Sequence, residues 1–568
     1  MKTIYKIIFL SVIAVTVSSC NFLDKQPYDL TPGNYFNNED QLQRFLTGVY
    51  SPLGQEPFYG NYYALYNAGG DDLSFYQRAN PSLAIMTANA NSTNEYITSY
   101  WRILYDGISR ANILLENADK NPDIPKAVRD RTKAEALFLR AFYYFNLVQG
   151  WGDVPFRLTS AQGVSNLALP RTDKQIIYDS IANQIIRAIP DLRKADNTNP
   201  GYITQSAAKG ILARVYMFRA GEHFRDKKPA DATKVRSYFE EAKKWALQVK
   251  ESNLHGLVTP YSQVFMDLCQ DKYNSTNVKE SIWEAEEAGN RINSPEWAAG
   301  RIGNVIGFGS QNDYSSNATY KELGGMKNPG YSYKFVYASL KLFRMYEEEA
   351  DVERGDWNIT PYEYVFANTK DKEVIGRSYY YGKRPAGLDQ VEGMPCTDMK
   401  QADSDKNKTR CCAKYRRELE VVLPKSKNNT PVNFPILRYS DVLLMIAEAE
   451  NELNGPTLLA YACINEVRNR AKITPLGGLN QDTFREAVKK ERAMELCFEG
   501  IRRWDLIRWG DFYKNMQDMR ALVNDVSWGG NYKYAANYYN ISDAYTYFPI
   551  PNLEMSVNKY ITVNNPGW

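Results

Sequence analysis

The chain has 568 residues, 44% hydrophobic and 24% charged, the values of an ordinary globular protein long enough to bury a large core. Lysine plus arginine number 69 and aspartate plus glutamate 66, a net charge of +3, and no basic stretch is interleaved with aromatics, which argues against nucleic acid or another polyanion as partner. The 42 tyrosines, 10 tryptophans and 23 phenylalanines offer flat faces, many with a polar edge, that suit a protein which binds at a wet surface rather than one that reacts.

In chain order, the first element is a leader. Lys2 and Lys6 precede an apolar run from Ile7 to Val17, followed by Ser18, Ser19 and Cys20. That run is too short to span a bilayer, which takes about 20 residues, but it suits the core of a signal peptide. Val17-Ser18-Ser19-Cys20 matches a bacterial lipobox, which implies a signal peptide over 1–19, lipid on Cys20, and a tether over 20–34. Several acyl chains on one cysteine make an anchor rather than a span, and no later stretch is long and apolar enough to cross a membrane.

Residues 35–568 read as one domain in three parts. From 35 to 250, apolar residues recur at three and four. Trp101, Leu104, Tyr105, Ile108, Ala111 and Leu115 mark a helix over Glu95–Ala118, and a second follows over Ala127–Val148. Another pair is expected near Asp173–Ile189 and Thr204–Ala220. "KAEALFLRAFYYF" and "SAAKGILARVYMF" align as the second helices of the two pairs, with small residues where helices touch. A helix over Arg236–Lys250 follows. From 251 to 435, short β-like runs such as "SIWEAE" and "YEYVFA" are separated by Gly, Asn, Pro and Ser clusters. From 436 to 568, helices are expected over Ser440–Asn454, Thr457–Lys472 and Asp482–Trp509. The fold class is mainly α, with long loop-rich insertions and little β.

Several of these stretches carry a resemblance. "CNFLDKQP" (20–27), "YWRILYDGISRANILLENA" (100–118), "GWGDVP" (150–155), "ESIWEAE" (280–286), "DVERGDW" (351–357), "PILRYSDVLLMIAEAENELNG" (435–455), "ERAMELCFEGIRRWDLIRWG" (491–510) and the C-terminal "YFPIPNLEMSVNKYITVNNPGW" resemble, in order, motifs of the SusD/RagB family. The resemblance implies an irregular tetratricopeptide-type helical scaffold and a surface-exposed outer-membrane lipoprotein. It further implies glycan as ligand, with peptide as the alternative, and a SusC-like TonB-dependent transporter as partner, over which the chain closes as a lid. Sugar rings fit the composition: their C–H faces stack on Trp or Tyr, and Asn, Asp and Arg bond their hydroxyl rims.

The resemblance places ligand contacts on an early loop and on a loop of the middle insertion. In "NAGGDDLSFYQRANPS" (67–82), Phe75 and Tyr76 are the candidate platforms, with Asp72, Arg78 and Asn80 on the rim. The competing reading has Asp71 or Asp72 ordering the loop and Phe75 turned inward. In 290–314 the candidates are Trp297, preceded by proline and outside any amphipathic stripe, and Tyr314. Trp101, Trp151, Trp245 and Trp357 are expected in the core.

Catalytic motifs are missing from the sequence: G-x-S-x-G, H-E-x-x-H and a phosphate-binding loop do not occur. No cofactor is implied, and two histidines with no Cys-x-x-Cys leave no zinc spacing. A glycosidase needs only two carboxylates, yet nothing marks a pair, so a binding protein is expected rather than an enzyme. Cys396, Cys411 and Cys412 lie near enough in sequence for one disulfide. The densest charge lies in 489–510. As one helix, it sets Glu499 and Arg503 four apart. With Met494, Phe498 and Ile501 turned inward some charge is buried, so Glu495, Glu499, Arg502 and Arg503 are expected to bond each other or neighbouring helices as a structural latch.

Overall fold

The computed structural model describes residues 35–568 apart from 69, 78–84, 162, 164–166, 196–197, 274–277, 290, 292–299, 314–315, 317–320, 367–374, 381, 400–409, 525–534 and 536. The expected leader, the lipid site expected at Cys20 and the expected tether lie outside the described residues. No helix among those described is long and apolar enough to cross a membrane.

Helices build the scaffold: α1 (Glu39–Tyr50), α2 (Glu95–Asn117), α3 (Lys126–Trp151), α4 (Lys174–Ala188), α5 (Gln205–Ala220) and α6 (Ala232–Lys250). Each of α2 through α5 packs on the next, as short connections between helices favour. Their starts are chemically marked. Asn94 accepts the backbone N–H groups of Tyr96 and Ile97, and Thr204 accepts that of Ala207, satisfying amides that a helix start leaves unpaired. The pairs touch closely: a Cβ on Gly107 of α2 would lie 2.4 Å from the Tyr143 ring of α3.

The chain then leaves the scaffold and returns to it. After α6 the chain forms short strands and a small sheet, and it returns to α6 at α9 (Tyr439–Asn454), which packs against it. In between, β1 (Ser74–Tyr76) pairs antiparallel with β3 (Val336–Ala338), and β2 (Ser281–Ala285) with β8 (Phe434–Arg438). A four-stranded sheet has the order β4 (Tyr362–Phe366), β5 (Ile375–Tyr379), β7 (Met394–Asp398), β6 (Gln390–Val391). Trp283 of β2 is fully buried and meets Phe142 of α3 edge-on at 4.7 Å, which fastens the insertion to the helices. Helices α7 (Leu340–Glu348) and α8 (Val352–Asn358) precede that sheet. α10 (Leu458–Arg470), α11 (Gln481–Leu496), α12 (Arg502–Arg508) and α13 (Phe512–Asn524) complete the C-terminal part.

Two expectations are corrected. The helix expected over Asp482–Trp509 is broken at Cys497–Ile501, where Phe498 (φ 63°) and Gly500 (φ 72°) take left-handed backbone conformations that no helix continues through. The disulfide that the closeness in sequence of Cys396, Cys411 and Cys412 allowed does not form, and all six described cysteines are buried free thiols. Cys396 pairs with Arg377 inside the sheet, while Cys411 bridges to Tyr337, so the strands carry them to different places.

Helix α5 ends where α12 crosses it. A Cβ on Gly221 would lie 1.9 Å from the carbonyl oxygen of Arg508, a backbone atom that cannot swing aside. Gly221→Ala is therefore expected to destabilise the fold by about 1–3 kcal/mol, read as a fall of several degrees in the thermal midpoint followed by circular dichroism.

Candidate functional site

The early loop is built on its two aspartates. Asp71 accepts the N–H of Leu73 and the hydroxyl of Ser74, both at 2.9 Å. Asp72 takes a two-pronged bond from Arg502 at 2.8 and 2.9 Å and a further one from Lys341. Burial and the neighbouring Asp72 charge push the Asp71 carboxyl up to about 7. Asp72, equally buried, is held below the usual carboxylate range by Arg502 and Lys341. Asp72 is thus a clamp and offers no rim to a ligand, which corrects the expectation from sequence. Phe75 and Tyr76 are corrected too: β1 is covered on both faces, and the two rings are 0% and 1% exposed. The competing reading, a loop ordered by aspartate with Phe75 turned inward, describes what the structure shows. Arg78, Asn80, Trp297 and Tyr314 lie outside the described residues.

Between those two loops runs a segment that the sequence reading missed. In "YSYKF" (331–335), Tyr331, Tyr333 and Phe335 are half-buried while Ser332 and Lys334 are buried. Tyr333 and Phe335 stack at 4.9 Å with their planes 7° apart, and Tyr331 meets Tyr333 edge-on at 4.9 Å. Backbone bonds fix the row. Tyr333 and Phe335 donate to the carbonyls of Asn304 and Val305 at 2.8 and 2.9 Å, and Gln77 donates to the carbonyl of Phe335 at 2.9 Å. Lys427 sits over the Tyr331 ring, 5.2 Å from its centre, and is paired with Asp313 at 3.2 Å. The result is an aromatic ladder with a polar margin, joined through Gln77 to the early loop and through residues 304–313 to the middle one. The alternation of aromatics in "YSYKF" was the signal that marks it.

Residues 279–568 match the model of the SusD family, and residues 21–217 match a model described as starch-binding, associating with outer membrane. The first match alone covers half of the chain. The chain belongs to the SusD family. It is 25% identical to SusD-like protein P25 of Formosa agariphila over 99% of this chain and 98% of that one. It is 24% identical, over 99% and 98%, to the starch-binding protein SusD of Bacteroides thetaiotaomicron. A solved structure of a SusD homolog from Bacteroides thetaiotaomicron superposes with a TM-score of 0.78 at 28% identity, covering 94% of this chain and 98% of that one. Within this SusD-family chain the ladder and Lys427 lie in the first matched region, and Gln77 lies in the second.

The charge-dense stretch 489–510 of this SusD-family chain faces inward. Glu495, fully buried, accepts from Arg438 at 3.0 Å, Arg470 at 2.5 Å and Arg354 at 3.2 Å. Arg438 also reaches Glu280 at 2.6 Å and Glu499 at 2.7 Å, and Lys414 donates to Glu499 at 2.7 Å. Against its burial, the three guanidiniums hold the Glu495 carboxyl far below the usual range. The pairing expected between Glu499 and Arg503 is corrected, because the turn at 497–501 removes the helical spacing. Arg503 instead donates to the carbonyl of Tyr545 at 2.6 Å and lies over the Phe512 ring, and burial pulls its guanidinium down to about 10. Arg502 holds Asp72. A parallel set joins Arg492 to Asp441 and Asp505, and Asp441, despite burial, is brought down to about 2 by Arg492 and Arg214. Every charge here is spent on structure.

Proposed function

We propose that this SusD-family chain is a surface-exposed, lipid-anchored glycan-binding protein of the outer membrane. It captures an oligosaccharide and closes as a lid over a SusC-like TonB-dependent transporter. The observation that carries this reading is the half-buried row Tyr331, Tyr333 and Phe335 with the Lys427–Asp313 pair at its margin. Aromatic faces stack the C–H surface of a pyranose and the charged pair bonds its hydroxyls, which is recognition without proton transfer. The starch-binding relative and the family model associated with the outer membrane support the ligand class and the location. Shallow sites of this kind bind weakly, and holding ligand beside a channel compensates through effective concentration.

Isothermal titration of the full chain without its leader, against neutral oligosaccharides and against mixed peptides, tests the ligand class. Heat with a glycan is expected, and heat with peptides alone would overturn the reading. The anchor is tested separately. Radiolabelled palmitate should enter the wild-type protein in cells and disappear in Cys20→Ala, and label that persists in the variant would remove the anchor from the proposal.

A further inference from the structure

A concavity apart from the ladder opens between α8 and the sheet strands β4 and β5. Its volume is about 630 Å³, within the range of clefts that hold small ligands. Its floor is aromatic: Trp357, Tyr362 and Tyr379, with the last two rings 5.2 Å apart. The guanidinium of Arg416, also on the lining, lies over the Trp357 ring at 3.9 Å and is bonded to Tyr362 and to backbone carbonyls.

Arg416 and the Lys472–Glu353 pair on the lining are bonded within the protein, but other polar groups of the cleft are not. Trp357 is 8% exposed, and its indole nitrogen, itself out of reach of solvent, meets no acceptor. Asp356 and Lys383 line the same cleft. Among the described residues neither side chain makes an ion pair or hydrogen bond, in a protein that pairs nearly all of its other half-buried carboxylates. Burial raises the Asp356 carboxyl, opposed by the charges of Lys383, Arg410 and Arg416. Tyr379 adds a hydroxyl at the cleft wall that bonds no side chain or backbone group among the described residues.

We infer that this cleft is a second carbohydrate site, taking a pyranose ring or short oligosaccharide independently of the ladder. Asp356 accepts from ring hydroxyls, while Tyr379 and Lys383 donate to hydroxyl oxygens. Sugar hydroxyls both donate and accept, so one ring can satisfy a carboxylate and two donors at once. A purely apolar ligand would leave all three unpaired, and an anion would face Asp356.

The test uses the full chain without its leader and reads the accessibility of Lys383. Its acetylation rate is measured by mass spectrometry with and without maltoheptaose, laminarihexaose and xylohexaose, in wild type and in Tyr331→Ala/Tyr333→Ala. At least one of these sugars is expected to slow labelling of Lys383 threefold or more in both proteins. Asp356→Asn, at the cleft margin, is expected to raise the sugar concentration needed for that protection fivefold or more. Unchanged labelling with every sugar overturns the second site. If titration still records sugar binding to wild type, the second site falls alone; if it records none, the proposed function falls as well.

Discussion

Replacing Glu495 with alanine is expected to lower the free energy of unfolding by about 3–5 kcal/mol, the loss typical of breaking a buried ion pair from one side. The carboxylate faces Arg354, Arg438 and Arg470, whose side chains are 0–2% exposed. Its removal leaves an uncompensated positive charge where water cannot reach. Glu495→Gln keeps the volume and removes the charge, so most of the loss should persist. The pH dependence has a definite sign. The folded carboxyl sits below its ordinary value of 4.5, so its stabilisation is complete above that pH and is lost as pH falls toward the folded value. The difference between wild type and Glu495→Gln, measured by urea unfolding, should be full at pH 7 and shrink steadily below about pH 4. A constant difference would show that the glutamate acts through shape alone.

Tyr331→Ala and Tyr333→Ala are each expected to weaken oligosaccharide binding about 5- to 30-fold, equivalent to about 1–2 kcal/mol per stacking face. Tyr331→Phe keeps the ring and should stay within about threefold of wild type. The comparison matters because Tyr333 lies between two rings, at 4.9 Å from each, and its loss also loosens the row. Titration calorimetry gives the affinities, and a thermal melt of each variant separates a lost platform from a damaged fold. Affinity unchanged in both alanine variants would move the ligand away from the ladder.

The helices were legible in the sequence because their cause is local. The recurrence of Trp101, Leu104 and Ile108 at three and four predicts a buried stripe, and α2 buries those residues. Trp101, Trp151, Trp245 and Trp357 are buried, as patterns and motifs predicted. The stretch 489–510 shows the limit. That its acids and arginines must be paired follows from sequence alone, since inward-facing apolar neighbours drag charge into a medium that does not tolerate it unpaired. Which groups pair does not follow. Glu280, Arg354, Arg438 and Arg470 come from four other places in the chain, and one glycine-assisted turn at 497–501 removes the pairing of Glu499 with Arg503 that a continuous helix would give.

The candidate site divides in the same way. The periodic helices and the ordered motifs determined the kind of protein: a helical scaffold and a place in the SusD family. Tertiary structure decided which aromatics face outward. Phe75 and Tyr76 looked like loop platforms until β1 paired with a strand more than 250 residues away and was covered on both sides. Tyr331, Tyr333 and Phe335, inconspicuous in a polar insertion, are held half-open by bonds to residues 304–310 and to Gln77. Periodicity acts between neighbours in sequence and can be read there. Exposure is set by whatever distant segment arrives on top, and only the folded chain contains that information.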